Sequence, residues 1–222
     1  MLQVACPDLA QPLRDAYHLF EKMVHDEGVA WGRPETPPGA SRPDPKRYFD
    51  FDGRTAGVPA PLLHLRGILL RTVDQCASVL EQTLRIPLDA PLSSMVDQDE
   101  GPVLRLTWYP ESYVEEINQS HCDIDLFTIL PAATRPGLEW RRGSDWSTVQ
   151  IDANEVVVMP GEILQELGAA EAVTHRVVST GEDRISCSLF VNAKPSLLIR
   201  ENVLAGDLMG ERLRAVQRLG NN

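Results

Sequence analysis

The chain has 222 residues, of which 43% are hydrophobic and 24% charged, and a formal net charge of −11 at pH 7. That length suits one sizeable core or at most two small ones. The acidity gives no electrostatic reason to bind nucleic acid or an anionic lipid surface. No apolar run approaches the roughly 20 residues of a membrane span, and the N-terminus lacks the charged start and apolar run of a signal peptide.

In chain order, the first predicted element is a helix over Asp8–His25. Pro12 is tolerable in a first turn, and Leu13, Tyr17, Phe20 and Val24 recur at helical spacing. Residues 32–61 are rich in proline, glycine and charge, interrupted by Tyr48, Phe49 and Phe51. They read as an irregular, partly packed connection. Pro61–Ile86 carries the strongest helical pattern. Leu65, Leu69, Val73, Cys76, Leu80 and Leu84 form one apolar stripe, which belongs to a core and not to a cofactor box.

From Val103 the period falls to two. Val103–Tyr109 alternates like a strand and stops at Pro110. Further strands are expected at Phe127–Leu130, Leu138–Trp140, Trp146–Ile151, Glu155–Met159, Val173–Val178 and Ile185–Val191. Turn formers such as Pro136-Gly137, Gly143-Ser144-Asp145 and Pro160-Gly161 separate them. A last helix is expected over Glu201–Leu219. Helices, then many short strands, then a helix predict an α+β, mainly β fold: an antiparallel sandwich or jelly roll flanked by helices. The expected organisation is one domain, with a mainly helical part over 1–100, a β core over 101–199 and a C-terminal helix over 200–222.

Cys6, Cys76, Cys122 and Cys187 are scattered, without a CxxC pair, which fits a reduced cytoplasmic protein that keeps them as small core residues. The chemistry concentrates elsewhere. On a strand, residues i and i+2 share a face, so His121 and Asp123 would aim one nitrogen and one carboxylate oxygen at a common point. His175, on a later strand, can supply a third ligand. Two imidazoles and one carboxylate leave coordination positions open, the ligand set of non-haem Fe(II) oxygenases. A structural zinc site more often closes its shell with cysteines. Further on, Arg184-Ile185-Ser186 puts a guanidinium and a hydroxyl on one strand face, a grip for a carboxylate.

Together these motifs resemble the Fe(II)/2-oxoglutarate-dependent oxygenases of the isopenicillin N synthase-like superfamily. Arg105-Leu106-Thr107-Trp108-Tyr109-Pro110 looks like the family's strand ending in Tyr-Tyr-Pro, with Thr107 where the family usually has asparagine. His121-Cys122-Asp123 matches its HxD, Pro136-Gly137-Leu138 its Gly-Leu turn, Thr174-His175-Arg176 its second-histidine strand and Arg184-Ile185-Ser186 its RxS. The resemblance runs from Leu104 to Pro195 and implies a double-stranded β-helix, that is, a jelly roll. It implies His121, Asp123 and His175 as Fe(II) ligands, and Arg184, Ser186 and the Tyr109 hydroxyl as the grip on the distal carboxylate of 2-oxoglutarate. O2 takes the remaining position. By family position Trp108, Phe127, Leu138, Trp140 and Leu164 are candidates to line the substrate pocket. Family members tend to carry extra strands before the long helix, so the resemblance also implies a shortened N-terminal region and an entrance left open or covered by a partner.

The implied reaction couples decarboxylation of 2-oxoglutarate to succinate and CO2 with oxidation of a small organic molecule. Hydroxylation is the first expectation, with desaturation, cyclisation or demethylation as other outcomes. One competing reading is an iron-dependent oxidase without 2-oxoglutarate, in which Arg184 and Ser186 hold the substrate's own carboxylate. Another is a non-catalytic jelly-roll binding protein.

Overall fold

The computed structural model describes residues 1–26, 46–84, 88–97, 101–111 and 115–220, except the side chains of residues 213 and 215–220. The elements run β1 (Leu2–Ala5), α1 (Ala10–Val24), β2 (Arg47–Phe51), α2 (Ala60–Glu81), α3 (Leu92–Met95), β3 (Val103–Tyr109), β4 (Glu116–His121), β5 (Phe127–Pro131) and β6 (Leu138–Arg142). There follow β7 (Asp145–Thr148), β8 (Glu155–Pro160), α4 (Glu162–Glu166), β9 (His175–Val178), β10 (Arg184–Val191), β11 (Leu198–Arg200), β12 (Val203–Leu204) and α5 (Ala205–Gly220).

The strands form a six-stranded sheet in the order β1-β8-β5-β10-β3-β2, a four-stranded sheet in the order β4-β9-β6-β7 and a small β11-β12 pair. All pairings are antiparallel. Two antiparallel sheets flanked by helices make the jelly roll that the sequence predicts.

Strand parity explains the layering. On β10, Ile185, Cys187, Leu189 and Val191 are buried and join a core shared with α1 and α2. On β3, Leu104 and Leu106 point the same way. The α2 stripe of Leu62, Leu65, Leu69, Val73, Cys76 and Leu80 packs against this outer face, each residue at most 7% exposed. The opposite face of the large sheet carries Arg105, Thr107 and Tyr109 of β3 and Arg184, Ser186 and Ser188 of β10. A face so polar inside a sandwich is a poor core and a good cavity wall. Leu130, Leu138, Val157, Met159 and Val177 fill the remaining space between the sheets.

Several boundaries differ from the expected ones. Helix α2 stops at Glu81, and Leu84 lies in a turn closed by Thr83 N–H on Leu80 O (2.9 Å) and Leu84 N–H on Glu81 O (3.2 Å). Residues 85–86 of the expected helix lie outside the described residues. The connection expected over 32–61 contains β2, which edges the large sheet by pairing with β3; residues 27–45 lie outside the described residues. Leu2–Ala5, ahead of the first predicted element, form β1. The strand expected over Trp146–Ile151 ends at Thr148, and the C-terminal helix starts at Ala205, after the β12 pairing. Among the described residues no helix is long and apolar enough to cross a membrane.

Candidate metal centre and cavity

His121 is the last residue of β4 and His175 the first of β9, and the two are direct register partners. Their rings lie 4.3 Å apart, centroid to centroid. Asp123 does not share a strand face with His121, as the period-two argument expects, because the strand ends at His121. It sits instead on the loop that carries the chain from β4 to β5. That loop is pinned by the segment entering α4: Gly161 N–H donates to Leu126 O (2.9 Å), Glu162 N–H to Asp123 O (2.8 Å) and Ile163 N–H to Asp125 O (3.2 Å). So fixed, Asp123 brings Oδ1 within 3.7 Å of His121 Nε2 and Oδ2 within 3.9 Å of His175 Nε2. The three ligand atoms lie within 4.8 Å of one another.

The protonation pattern suits a metal. Each imidazole has its Nδ1 against a backbone carbonyl two residues earlier: His121 on Gln119 O (2.7 Å) and His175 on Val173 O (3.0 Å). A carbonyl only accepts, so Nδ1 carries the proton and the Nε2 lone pair is left to coordinate. Desolvation, then the facing His175, lowers the His121 pKa, which favours the neutral ligand form. Cys122 turns aside to Thr174 Oγ1 (3.4 Å) and adds no thiolate. Two neutral nitrogens and one carboxylate fit a divalent ion that keeps open positions.

Thr128, which the sequence reading did not single out, stands behind the carboxylate. Its hydroxyl lies 2.5 Å from Asp123 Oδ2 and 2.9 Å from Asp125 Oδ2. Asp125 is not part of the ligand group. It is buried, and burial followed by the Asp123 charge pushes its pKa well above the usual carboxylate value. A signal for Thr128 was available in the sequence: it is the one hydroxyl in the otherwise apolar run Phe127-Thr128-Ile129-Leu130.

The same cavity, about 910 Å³, reaches from the three ligand residues to Tyr109, Arg184 and Ser186. Arg184 and Tyr109 are register partners, as are Ser186 and Thr107. Arg184 is 4% exposed. Its Nε donates to the carbonyls of Arg135 (3.2 Å) and Pro136 (3.1 Å), and its guanidinium lies 5.4 Å from the centre of the Tyr109 ring. Nη1 is buried with no partner among the described residues. Burial accordingly lowers the Arg184 pKa.

Of the five expected pocket residues, only Leu138 lines this cavity. Phe127 and Leu164 are fully buried in the core beneath the helices. Trp108 faces outward because its neighbours Thr107 and Tyr109 face in; its Nε1–H donates to Asp183 (3.3 Å), and it lines a separate groove beside α1. Trp140 is the register partner of His175, but it packs into the core between the sheets with Arg142 over its ring. Family position located these side chains along the chain; strand parity and register decide which way they point.

Comparisons with known proteins agree with this geometry. Residues 100–193 match the model of the 2OG-Fe(II) oxygenase superfamily. The bi-functional coumaroyl CoA and feruloyl CoA ortho-hydroxylase Diox1 of Ruta graveolens is 34% identical over 120 residues, 47% of this chain and 32% of that protein. Jasmonate-induced oxygenase 4 of Arabidopsis thaliana is 34% identical over 132 residues, 56% of this chain and 37% of that protein. The chain thus spans about a third of the length of the curated relatives it matches. Among solved structures, a Shewanella oneidensis protein superposes with a TM-score of 0.80 at 22% identity, covering 97% of this chain and 90% of its own. JOX2 in complex with 2OG, Fe and JA superposes with a TM-score of 0.70 at 19% identity, covering 87% and 68%. At these identities the superpositions show the fold alone.

Proposed function

We propose, from the match of residues 100–193 to the model of the 2OG-Fe(II) oxygenase superfamily, that this chain is a non-haem Fe(II)/2-oxoglutarate-dependent dioxygenase acting on a small organic molecule. One observation carries the reading: the buried Arg184 guanidinium, with Nη1 unpartnered, opens on the same cavity as His121, Asp123 and His175. A buried cation without a counter-charge is costly. An anionic ligand that reaches towards the metal would supply the missing charge. The four cysteines are all free, which suits a reducing, cytoplasmic setting.

In this reading His121 and His175 present neutral Nε2 atoms and Asp123 one ionised oxygen. Bound iron supplies the activation of O2 that organic side chains cannot. Arg184 and Ser186, with the Tyr109 hydroxyl, hold the far carboxylate of 2-oxoglutarate and so orient its keto-acid end towards the metal site. Leu130, Leu138, Val149 and Val177 wall the same region with apolar surface and exclude water. Hydroxylation of the second substrate is the proposed outcome, within one oxygenase domain over 1–222.

The test is succinate release by the iron-loaded protein with 2-oxoglutarate under air. Succinate formed in step with substrate consumption supports the reading. Substrate oxidation without succinate would assign Arg184 and Ser186 to the substrate's own carboxylate, in an oxidase. Iron binding without any turnover would leave a binding protein.

A further inference from the structure

The inner face of the large sheet carries a second constellation of the same residue types as the first. Arg184, Ser186 and Tyr109 occupy one end. Farther along the same face stand Arg105, Ser188 and Tyr48. Arg105 and Ser188 are register partners across β3 and β10, and Tyr48 sits on β2 beside Thr107. All three line the cavity. Four residue steps along β3 lead from Tyr109 to Arg105, about 13 Å of extended chain, too far for a five-carbon diacid held at Arg184 to reach.

Arg105 is held more firmly than a solvated arginine. Its Nε and Nη2 donate to the two oxygens of Asp50 at 2.7 and 2.6 Å. Its guanidinium lies 4.2 Å from the Tyr48 ring centre and 5.2 Å from that of Phe190. This clamp fixes the plane of the fork while Nη1 has no hydrogen-bond partner among the described residues. The Ser188 hydroxyl, which lies opposite in register, likewise has none. Lys46, at the start of β2, lines the same wall and donates to Asn118 (2.6 Å).

The position relative to the metal ligands matters as much as the chemistry. Phe190, one step along the face from Ser188, is the register partner of Thr128, whose hydroxyl touches Asp123. A group gripped by Arg105 therefore sits near the level of the metal ligands, on the other side of β10 from them.

We propose that Arg105 and Ser188, seated between Tyr48 and Phe190, bind a carboxylate on the second substrate, the molecule that is oxidised. This deepens the dioxygenase reading and rests on it. The substrate class is a carboxylic acid whose apolar body lies against Phe190 and carries the C–H bond to be attacked. Arg184 selects the co-substrate, and Arg105 selects its partner.

The bland account of Arg105 and Asp50 is a cross-strand ion pair that only joins β2 to β3. The two accounts differ in sign. Protein loaded with zinc in place of iron and saturated with 2-oxoglutarate is titrated with 4-phenylbutanoate and, separately, with uncharged 4-phenylbutanamide; binding is followed by calorimetry. The acid is expected to bind about tenfold tighter than the amide. Arg105→Gln should weaken the acid about tenfold, Arg105→Lys should restore part of the loss, and Asp50→Asn should tighten it because the guanidinium loses its counter-charge. No acid binding, equal binding of acid and amide, or equal shifts in the same direction for Arg105→Gln and Asp50→Asn would overturn the proposal. The 2-oxoglutarate affinity, measured in the same samples before the probe is added, reports separately on the dioxygenase reading. It should not change in Arg105→Gln.

Discussion

Gly161 is packed so closely on Asp125 that a β-carbon at Gly161 would overlap both the Asp125 carbonyl and its carboxylate. The φ of Gly161 is −95°, within reach of any residue, so the need for glycine here is steric. The contact holds the loop that carries Asp123. Gly161→Ala should push this loop away and spread the ligands without touching any of them. Disturbing such outer partners typically costs 10–100-fold in metal affinity. Zinc or ferrous titration of the variant checks it, and unchanged affinity would show that the loop is set by other contacts.

Arg184 should separate ligand binding from stability. Arg184→Met removes the cation that faces the cavity, and 2-oxoglutarate binding should weaken by about 2–5 kcal/mol. The ligand-free protein should lose no more than about 1 kcal/mol, because what disappears is one N–H shared between two carbonyls and a buried, half-satisfied charge. Isothermal titration and a denaturant midpoint give the two numbers. A large stability loss with intact binding would make Arg184 a structural residue.

His121 gives a pH prediction with a definite sign. Its pKa in the folded, metal-free chain is lowered, chiefly by desolvation and by His175, and Asp123 opposes that shift. Its ring nitrogens should therefore titrate below the ordinary histidine value of roughly 6.5. Asp123→Asn should move the midpoint lower still. Because the unfolded chain then binds this proton more readily than the folded one, acidification below about 6.5 costs the metal-free fold stability, and the cost vanishes above it. Imidazole nitrogen NMR across pH 4–8 (about four units around the reference value) follows the residue directly. A midpoint at or above the ordinary value refutes the assignment.

How much of this could be read from the chain depends on which physical constraint sets each element. Val103–Tyr109 and Ile185–Val191 alternate cleanly because one face meets the helices and the other the cavity, so both strands were legible. Strand β4, Glu116–His121, has no apolar alternation and is partly exposed along its length. It is a strand only because β9 pairs with it. The local argument for the three candidate ligands holds only in part: His121 and His175 are placed by register, Asp123 by a loop tied to the start of α4. Four of the five expected pocket residues lie off this cavity, and for Trp108 the reason is contained in the sequence. Trp108 adjoins Tyr109 in a strand, so the two cannot face the same cavity. Arg105 has the parity of Tyr109 and does face it.

The last prediction concerns a single proton. The Thr128 hydroxyl lies within hydrogen-bond distance of Asp123 and of Asp125, yet has only one hydrogen to donate. Burial, then the Asp123 charge, raises the Asp125 pKa and favours its protonated form. With a proton on Asp125, the arrangement that satisfies all three groups has Asp125 donating to the Thr128 oxygen and Thr128 donating to the Asp123 carboxylate. The relay should therefore need a donor at position 125, not a charge. Asp125→Asn, which can present an amide N–H in the same place, should leave metal affinity within about threefold of the starting value, a few tenths of a kcal/mol. Thr128→Val keeps the shape but strands both carboxyl groups, and should weaken the metal by about 10–100-fold. Titrating both variants with zinc decides it. If Asp125→Asn were the more damaging of the two, the proton would have to lie on Thr128 and point to Asp125, with Asp123 unsupported.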